Sequence, residues 1–167
     1  SNAMHIKSAI IVVSDRISTG TRENKALPLL QRLMSDELQD YSYELISEVV
    51  VPEGYDTVVE AIATALKQGA RFIITAGGTG IRAKNQTPEA TASFIHTRCE
   101  GLEQQILIHG STHTHLAGLS RGIVGVTGRD DHAALIVNAP SSSGGITDTW
   151  AVISPVIPNI FEGLDAS

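Results

Sequence analysis

The feature that most constrains the fold is an alternation of short β-branched apolar runs with longer segments of helical spacing. Residues 9–13, 43–51 and 71–76 have the composition of buried strands. Residues 25–38 and 58–66 place apolar side chains three and four positions apart, which predicts amphipathic helices. Strands that alternate with helices indicate βαβ units, and therefore a mostly parallel sheet with helices on both faces.

The second half of the chain predicts an antiparallel element. Residues 122–126 and 133–139 are apolar runs on either side of a turn-rich segment, which is typical of a hairpin. The expected fold class is α/β: a three-layer sandwich with a mostly parallel sheet and one late antiparallel hairpin. We expect a single domain over residues 4–167, because Ser1-Asn2-Ala3 is interpreted as an expression-tag remnant.

Further helices are predicted in this half. Residues 87–95 and 101–114 have helical character, and the last helix is expected to begin near Ile146. Pro155 and Pro158 predict a kink or an early stop in that helix, because proline removes a backbone donor.

The composition excludes several classes of partner. Hydrophobic residues make up 42% of the chain, aromatic residues only 4%, and the formal charge is −6. Without a run of Lys or Arg, we expect no general binding to nucleic acid or to anionic membranes. We expect a cytoplasmic protein, because neither a long apolar span nor a secretory leader is recognised. Cys99 is the only cysteine, which excludes an internal disulfide and is interpreted as a small, partly buried apolar side chain.

Three loops rich in Ser, Gly and Thr each follow a predicted strand. They cover residues 14–20, 77–80 and 140–145. Ligands in open α/β sheets bind beyond the carboxyl ends of the strands. We therefore expect these loops to meet at one edge of the sheet.

The second of these loops, Gly77-Gly78-Thr79-Gly80, predicts an anion cradle. Its small residues let backbone N–H groups approach a phosphate, and Thr79 adds a hydroxyl. A tight turn without a ligand is the alternative, since the sequence is neither a Walker loop nor a dinucleotide fingerprint. A helix that Thr87 caps, with Pro88 at its first position, would bring a positive end nearby.

The other two loops allow both a ligand-binding and a structural interpretation. Ser14 and Asp15 either face the ligand edge or form a solvated turn with Arg16. The serines at 141–143 either donate hydroxyl groups to a phosphate or a pterin, or serve only as loop and cap residues.

Six histidines raise the question of a metal site, because His109, His113 and His115 lie close together in sequence. On a strand, His113 and His115 would point to the same side, but on a helix they would diverge. No cluster of Cys, Asp or Glu lies beside them in the sequence. Exposed or core histidines are therefore favoured over a zinc site, which stays the alternative.

The spaced motifs together resemble those of the molybdopterin-binding family, which includes molybdopterin adenylyltransferases, molybdenum cofactor biosynthesis protein B and gephyrin-type domains. The resemblance covers nearly the whole chain. In chain order, the matching segments are Val13-Ser14-Asp15-Arg16 with Ser18-Thr19-Gly20, Val51-Pro52-Glu53, Gly77-Gly78-Thr79-Gly80, Thr87-Pro88-Glu89-Ala90, Leu119-Ser120-Arg121 with Gly125, and Asn138-Ala139-Pro140.

The resemblance implies a molybdopterin-binding fold that assembles as a homotrimer. It also implies a reaction in which Mg-ATP transfers AMP to the terminal phosphate of molybdopterin, with Mg²⁺ held by Glu53 and Asn85, which are also the implied catalytic residues. The implied ligand-binding residues are Ser14, Asp15, Gly77, Gly78, Thr79, Gly80, Thr87, Pro88, Glu89, Ser120, Arg121, Pro140, Ser141, Ser142 and Ser143.

The chain departs from the family pattern at several of these positions. Asn85 and Glu53 stand where the family usually has Asp, and Asn24 and Ala26 stand where Asp and Gly are common. The loop at 140–144 lacks a glycine and a cation of the family pattern. Two hypotheses follow: a Mg-dependent molybdopterin adenylyltransferase, or a homologue that binds molybdopterin or a nucleotide with weak or no turnover. A different phosphorylated ligand is a third alternative.

Overall fold

The computed structural model describes residues 4–35 and 41–166, in which helices pack on both faces of a six-stranded sheet. The strands are β1 (Met4–Val13), β2 (Tyr41–Val51), β3 (Phe72–Ala76), β4 (Thr97–Arg98), β5 (Val124–Val126) and β6 (Leu135–Ala139). The α-helices are α1 (Asp15–Ser18), α2 (Ala26–Ser35), α3 (Tyr55–Lys67), α4 (Thr87–Ala92), α5 (Glu100–Ser111), α6 (Ser143–Ile153) and α7 (Ile157–Asp165). Short 3-10 helices cover His115–Leu119 and Ser154–Val156.

The strand order in the sheet is β2-β1-β3-β6-β5-β4. β1 pairs in parallel with β2 and β3, and β3 pairs in parallel with β6. β5 lies antiparallel to β6, as the sequence predicts, and β4 adds a second antiparallel pair at the sheet edge. The predicted fold class is confirmed. One consequence decides the position of the site: the carboxyl ends of β1, β3 and β6 lie side by side.

Two hydrophobic cores, one on each face, hold the layers together. Successive side chains of β1 point to opposite faces, so that Ile10 and Val12 pack with helices α2, α6 and α7. Ile11 and Val13 pack on the other face with α3 and α4. Burial on both faces explains why the central strands have continuous apolar sequences instead of alternating ones.

Helix α4 is shorter than the sequence predicts. It ends at Ala92 and not at Ile95, and Thr87 is its first residue and not its cap. The chain leaves the helix because the His96 amide donates to the Val126 carbonyl at 2.9 Å, which begins the pairing of β4 with β5. α4 has six residues, and the amide of its first residue, Thr87, already donates to the Gly78 carbonyl at 3.1 Å.

The remaining helix predictions differ from the structure mainly at their ends. The predicted interruption by proline is confirmed, because Pro155 lies in a 3-10 turn between α6 and α7 and Pro158 lies in the first turn of α7. Of the helix predicted over 25–38, the part ending at Ser35 is described, and Leu38 lies outside the described residues. Within residues 4–35 and 41–166, none of the helices combines the length and the hydrophobicity that crossing a membrane requires.

Candidate functional site

A cavity of about 1000 Å³ lies at the carboxyl edge of the sheet, between the loops that follow β1, β3 and β6. The prediction that these loops meet is confirmed. The loop after β2 and the segment before β5 complete the wall. The predicted site residues that line the cavity are Ser14, Asp15, Glu53, Gly78, Thr79, Gly80, Asn85, Ser120, Pro140, Ser141, Ser142 and Ser143.

The turn after β3 depends on two glycines with positive φ. Gly77 has a φ of 111°, and a Cβ there would lie 2.1 Å from the Val13 carbonyl oxygen. Gly78 has a φ of 70°, and a Cβ there would lie 2.2 Å from Thr87 Oγ1. No other residue fits such a backbone without strain or a clash. The glycines therefore let the turn lie flat against the end of β1, with the backbone of Gly78 at the cavity wall.

Thr79 and Ser120 connect the glycine turn to the segment before β5. The Ser120 hydroxyl donates to Thr79 Oγ1 at 3.3 Å, and the Arg121 amide donates to the Thr79 carbonyl at 2.9 Å. Thr79 is 5% exposed, so that its side chain is fixed by its surroundings. Both hydroxyl groups belong to residues that line the cavity.

Arg121 fixes the polar stretch that follows the glycine turn. Its guanidinium donates to the carbonyls of Gly80 and Asn85, each at 2.9 Å, and forms a salt bridge with Glu89 at 2.6 Å. The hydrogen bond from Arg121 lowers the pKa of the Glu89 carboxyl. Neither side chain lines the cavity, so this pair holds the loop in shape from outside.

Ser14 and Asp15 join the loop after β1 to the loop after β2. Ser14 caps α1 by accepting from the Ile17 amide at 3.2 Å. Asp15 Oδ1 accepts from the Glu53 amide at 3.0 Å, and Asp15 Oδ2 forms an ion pair with Lys84 at 3.2 Å. The Glu53 amide, followed by Lys84, lowers the pKa of the Asp15 carboxyl. Asp15 therefore stays ionised and holds the backbone of Glu53 in place.

Glu53 and Asn85, the two expected metal ligands, contact each other. Asn85 Nδ2 donates to Glu53 Oε1 at 2.5 Å, and Asn85 Oδ1 accepts from the Arg82 amide at 3.0 Å. The Asn85 side chain therefore links the Glu53 carboxylate to the backbone of the loop that follows β3. Glu53 Oε2 has no hydrogen bond among the described residues and remains available to a ligand.

The loop after β6 places the start of α6 at the cavity. Ser142 caps this eleven-residue helix by accepting from the Gly145 amide at 3.0 Å. Ser141 and Ser143 are exposed at the cavity wall. Helix N-termini carry a partial positive charge and unpaired N–H groups, which favour anions. The interpretation as a cap residue is therefore confirmed for Ser142. Ser141 and Ser143, on either side of it, have exposed hydroxyl groups that could donate to a ligand.

Sequence reasoning assigned no binding role to the cations and the apolar side chains of the cavity wall. Four basic residues line it, namely Arg16, Arg22, Lys25 and Arg82, together with Leu116 and Leu119 of the 3-10 helix. The two leucines are 57% and 52% exposed. The basic residues lie within the polar stretches that follow β1 and β3, but single cations without a run gave no signal in the sequence.

Five of the predicted ligand-binding residues do not line the cavity. They are Gly77, Thr87, Pro88, Glu89 and Arg121. Thr87 and Pro88 are buried beneath the glycine turn, where the Thr87 amide donates to the Gly78 carbonyl at 3.1 Å. The Thr87 hydroxyl is buried with no hydrogen-bond partner in the part of the chain that the structure describes. These five residues support the loops of the cavity wall without lining the cavity themselves.

Comparisons with known proteins agree with this geometry. The profile of the family described as "Probable molybdopterin binding domain" matches residues 9–159. The molybdopterin adenylyltransferase of Escherichia coli strain K12 is 27% identical over 93% of this chain and 77% of that protein. The molybdenum cofactor biosynthesis bifunctional protein of Chlorobaculum tepidum is 29% identical over 94% of this chain. The molybdenum cofactor synthesis protein cinnamon of Drosophila melanogaster is 26% identical over 92% of this chain. The chain spans 48% of the Chlorobaculum protein and 25% of the Drosophila protein.

Solved structures share the fold. A molybdenum cofactor biosynthesis protein from Corynebacterium diphtheriae is 92% identical with a TM-score of 0.89, over 97% of this chain and 99% of that one. The molybdopterin biosynthesis enzyme MoaB from Thermus thermophilus is 27% identical with a TM-score of 0.84, over 97% of this chain and 98% of that one. The chain therefore belongs to the molybdopterin-binding domain family of molybdenum cofactor biosynthesis.

Proposed function

We propose that this chain transfers AMP from Mg-ATP to the terminal phosphate of molybdopterin and releases pyrophosphate. One observation carries the proposal: a single cavity is lined by a glycine turn, a helix N-terminus, four cations and three carboxylates. Two phosphorylated reactants repel each other, so a site that joins them must screen charge and hold both in line. Family membership and the similarity to the E. coli adenylyltransferase support the same activity.

Phosphate groups would be held by the glycine turn and by the start of α6. Backbone N–H groups around Gly78 and Gly80 can approach an anion closely because the glycines themselves carry no side chain. The Ser141 and Ser143 hydroxyls lie beside the helix N-terminus and can donate to the same oxygens. Arg22, Lys25 and the other basic side chains of the wall screen the remaining charge.

The pterin ring would pack on the apolar part of the wall. Leu116 and Leu119 expose their side chains to the cavity, and such side chains favour a flat aromatic system over water. The reactants therefore meet a wall that is apolar at the 3-10 helix and polar at the glycine turn.

The carboxylates of the cavity wall fit a magnesium ion. Mg²⁺ prefers oxygen ligands and usually takes one or two carboxylates together with substrate phosphates. Glu53 offers Oε2, Asp15 lies beside it, and the Asn85 amide oxygen keeps one lone pair beyond its bond to Arg82. Glu53 and Asn85 would hold the ion, with Asp15 adjacent. When bound, it would supply charge screening for the reacting phosphates.

The reaction forms one bond and breaks one bond. An oxygen of the molybdopterin phosphate bonds to the α-phosphorus of ATP, and the bond from that phosphorus to the β-phosphate oxygen breaks, which releases pyrophosphate. The attacking oxygen is already anionic, so a general base is not required. The N–H donors and cations of the wall stabilise the charge that develops on the transferred group.

A binding protein without turnover is the second candidate, because of the contact between Asn85 and Glu53. This pair carries one negative charge, where two carboxylates would carry two and attract Mg²⁺ more strongly. The same cavity would then hold molybdopterin or a nucleotide without activating it.

A homotrimer in the cytoplasm is also part of the proposal. The trimer rests on what the family resemblance implies, and the location is the expectation stated above from the sequence. Light scattering coupled to size-exclusion chromatography measures the assembly directly, and a mass of one chain would contradict the trimer.

An adenylylation assay separates the two candidates. Purified protein is incubated with Mg-ATP and molybdopterin, and adenylylated molybdopterin and pyrophosphate are measured for the wild type and for Asn85→Asp. Product from the wild type supports the enzyme. Product from Asn85→Asp alone, with calorimetric binding of molybdopterin by both proteins, supports the binding protein. If the wild type neither binds nor turns over either reactant, both candidates are wrong.

A further inference from the structure

A cluster of two histidines and one aspartate lies outside the cavity at the sheet edge. His109 is in the last turn of α5, His113 follows that helix, and Asp148 is on α6. Asp148 Oδ1 lies 2.8 Å from His109 Nδ1 and 3.1 Å from His113 Nδ1. Among the His, Cys, Asp and Glu side chains of residues 4–35 and 41–166, these three form the one group whose possible metal-ligand atoms all lie within 4.8 Å of one another.

The sequence favoured exposed or core histidines over a zinc site. It lacked an acidic partner near them, but the packing of α5 on α6 supplies Asp148, which lies 39 residues beyond His109. His115, the third histidine of the sequence cluster, begins a 3-10 helix and is not part of the group.

The distances suit a tetrahedral ion. Zinc binds imidazole nitrogen at about 2.0–2.1 Å and carboxylate oxygen at about 2.0–2.2 Å, so that neighbouring ligand atoms lie about 3.3 Å apart. The separations in the structure, 2.8 Å and 3.1 Å, are shorter than this by up to about half an ångström. The His109 and His113 side chains are 42% and 62% exposed, so shifts of this size in either ring need no rearrangement of the core.

Asp148 is fixed in place for such a role. Its side chain is 12% exposed, and buried carboxylates need a compensating partner. Gly110 lets the helices approach here, because a Cβ at that position would lie 3.3 Å from Ala117 Cβ and 3.5 Å from Asp148 Oδ2. The buried carboxylate thus faces one imidazole in the last turn of the neighbouring helix and one just beyond that helix, where two nitrogen ligand atoms and a carboxylate oxygen meet.

We propose that His109, His113 and Asp148 bind a divalent transition-metal ion of the class of zinc, cobalt or nickel. Imidazole ligands suit these ions, whereas Mg²⁺ prefers oxygen ligands, so this site is distinct from the magnesium site proposed above. Three protein ligands leave a fourth position open. His113 and Asp148 line a second cavity, of about 660 Å³, towards which that position would face.

The test uses zinc alone, with the full chain freed of metal by a chelator. Binding of Zn²⁺ is measured by competition with a chromophoric chelator, and the Tm is measured with and without Zn²⁺. We expect one ion per chain with a higher Tm, because an ion that binds only the folded state stabilises it. Co²⁺ should give the strong visible absorption of a tetrahedral site.

Variants assign the ligands. His113→Ala and Asp148→Asn should weaken Zn²⁺ binding by more than about tenfold, since even residues behind the ligands cost that much. His115→Ala and His132→Ala, outside the group, should bind as the wild type does. His113→Ala is expected to fold normally because the side chain is exposed, which keeps the test valid if Asp148→Asn unfolds. Absence of micromolar binding, or binding that His113→Ala leaves unchanged, would overturn the proposal, whatever the adenylylation assay shows.

Discussion

Asn85 donates its side-chain N–H to the carboxylate of Glu53, and this contact joins the loop after β3 to the loop after β2. Both residues stand where the resemblance to the family leads one to expect aspartate. The two departures therefore belong to one local change. The longer carboxylate of Glu53 reaches the neutral amide of Asn85, where two aspartates would leave space for a metal ion. The change keeps the loops joined without an ion.

The first prediction concerns this contact. Asn85→Asp replaces a donor with a second carboxylate, so the hydrogen bond is lost and like charges face each other. We expect the free energy of unfolding near neutral pH to fall by about 1–2 kcal/mol in the absence of Mg²⁺. Added Mg²⁺ should recover part of the loss, whereas it should have little effect on the wild type. Urea unfolding with and without Mg²⁺ measures both effects.

The matched control is Gln105→Glu, which adds the same charge at an exposed position of α5. It should unfold like the wild type in both conditions. Equal stability of Asn85→Asp and the wild type without Mg²⁺ would contradict the structural role assigned to the contact.

The second prediction concerns the glycine turn. Gly78→Ala places a Cβ 2.2 Å from Thr87 Oγ1 on a backbone with a φ of 70°. Because both strain and a clash result, we expect a loss of about 1–3 kcal/mol in the free energy of unfolding. Gly101→Ala is the control, since nothing lies within 4 Å of a Cβ there and alanine favours a helix. In thermal unfolding, the Tm of Gly78→Ala should therefore fall well below that of the wild type. The Tm of Gly101→Ala should stay the same or rise.

The third prediction concerns the ion pair of Arg121 and Glu89. Arg121 lowers the pKa of Glu89 in the folded protein, so this pair adds stability above the carboxyl's ordinary pKa and loses it as pH falls through the lowered value. The Tm of Glu89→Gln should lie below that of the wild type near neutral pH. This difference should shrink as the pH falls below about 4. Glu60→Gln, on the exposed side of α3, should show no such dependence. A difference that stays constant with pH would contradict this account.

The sequence predicted the order of the strands and helices well because their signals are local. The apolar run at 9–13 and the hairpin 122–139 needed only β-branched composition and turn residues. β4 was missed because two residues, Thr97 and Arg98, cannot display a period. The early end of α4 depends on the pairing of His96 with Val126, which lies thirty residues away and is therefore a tertiary effect.

The site was only partly predictable for the same reason. Strand order places the loops after β1, β3 and β6 together, so their small polar residues were found. Arg22 and Lys25 reach the cavity from a stretch without a motif, and nothing local marks them. Asp148 lies on the inner side of α6 and meets the histidines only through helix packing. Residues that depend on packing between distant elements have no signature in a single sequence.

The fourth prediction concerns Cys99, which precedes α5 and is half-buried against the core. Burial, followed by the charge of Glu103, raises the pKa of its thiol. Since the thiolate is the reactive form, alkylation near neutral pH should be slow. The comparison is Ser111→Cys in a Cys99→Ser background, which places a thiol at an exposed position. If Cys99 reacts as fast as that exposed thiol, the interpretation as an unreactive apolar side chain is wrong.

The most direct test asks whether the cavity at the sheet edge is where molybdopterin binds and reacts. Ser141→Trp fills the cavity from an exposed loop position and leaves the glycine turn untouched. Molybdopterin binding and pyrophosphate release from Mg-ATP are measured for the wild type and for this variant. We predict that the wild type binds and releases pyrophosphate, and that the variant loses both at an unchanged Tm. A folded variant that binds molybdopterin as tightly as the wild type would contradict the account.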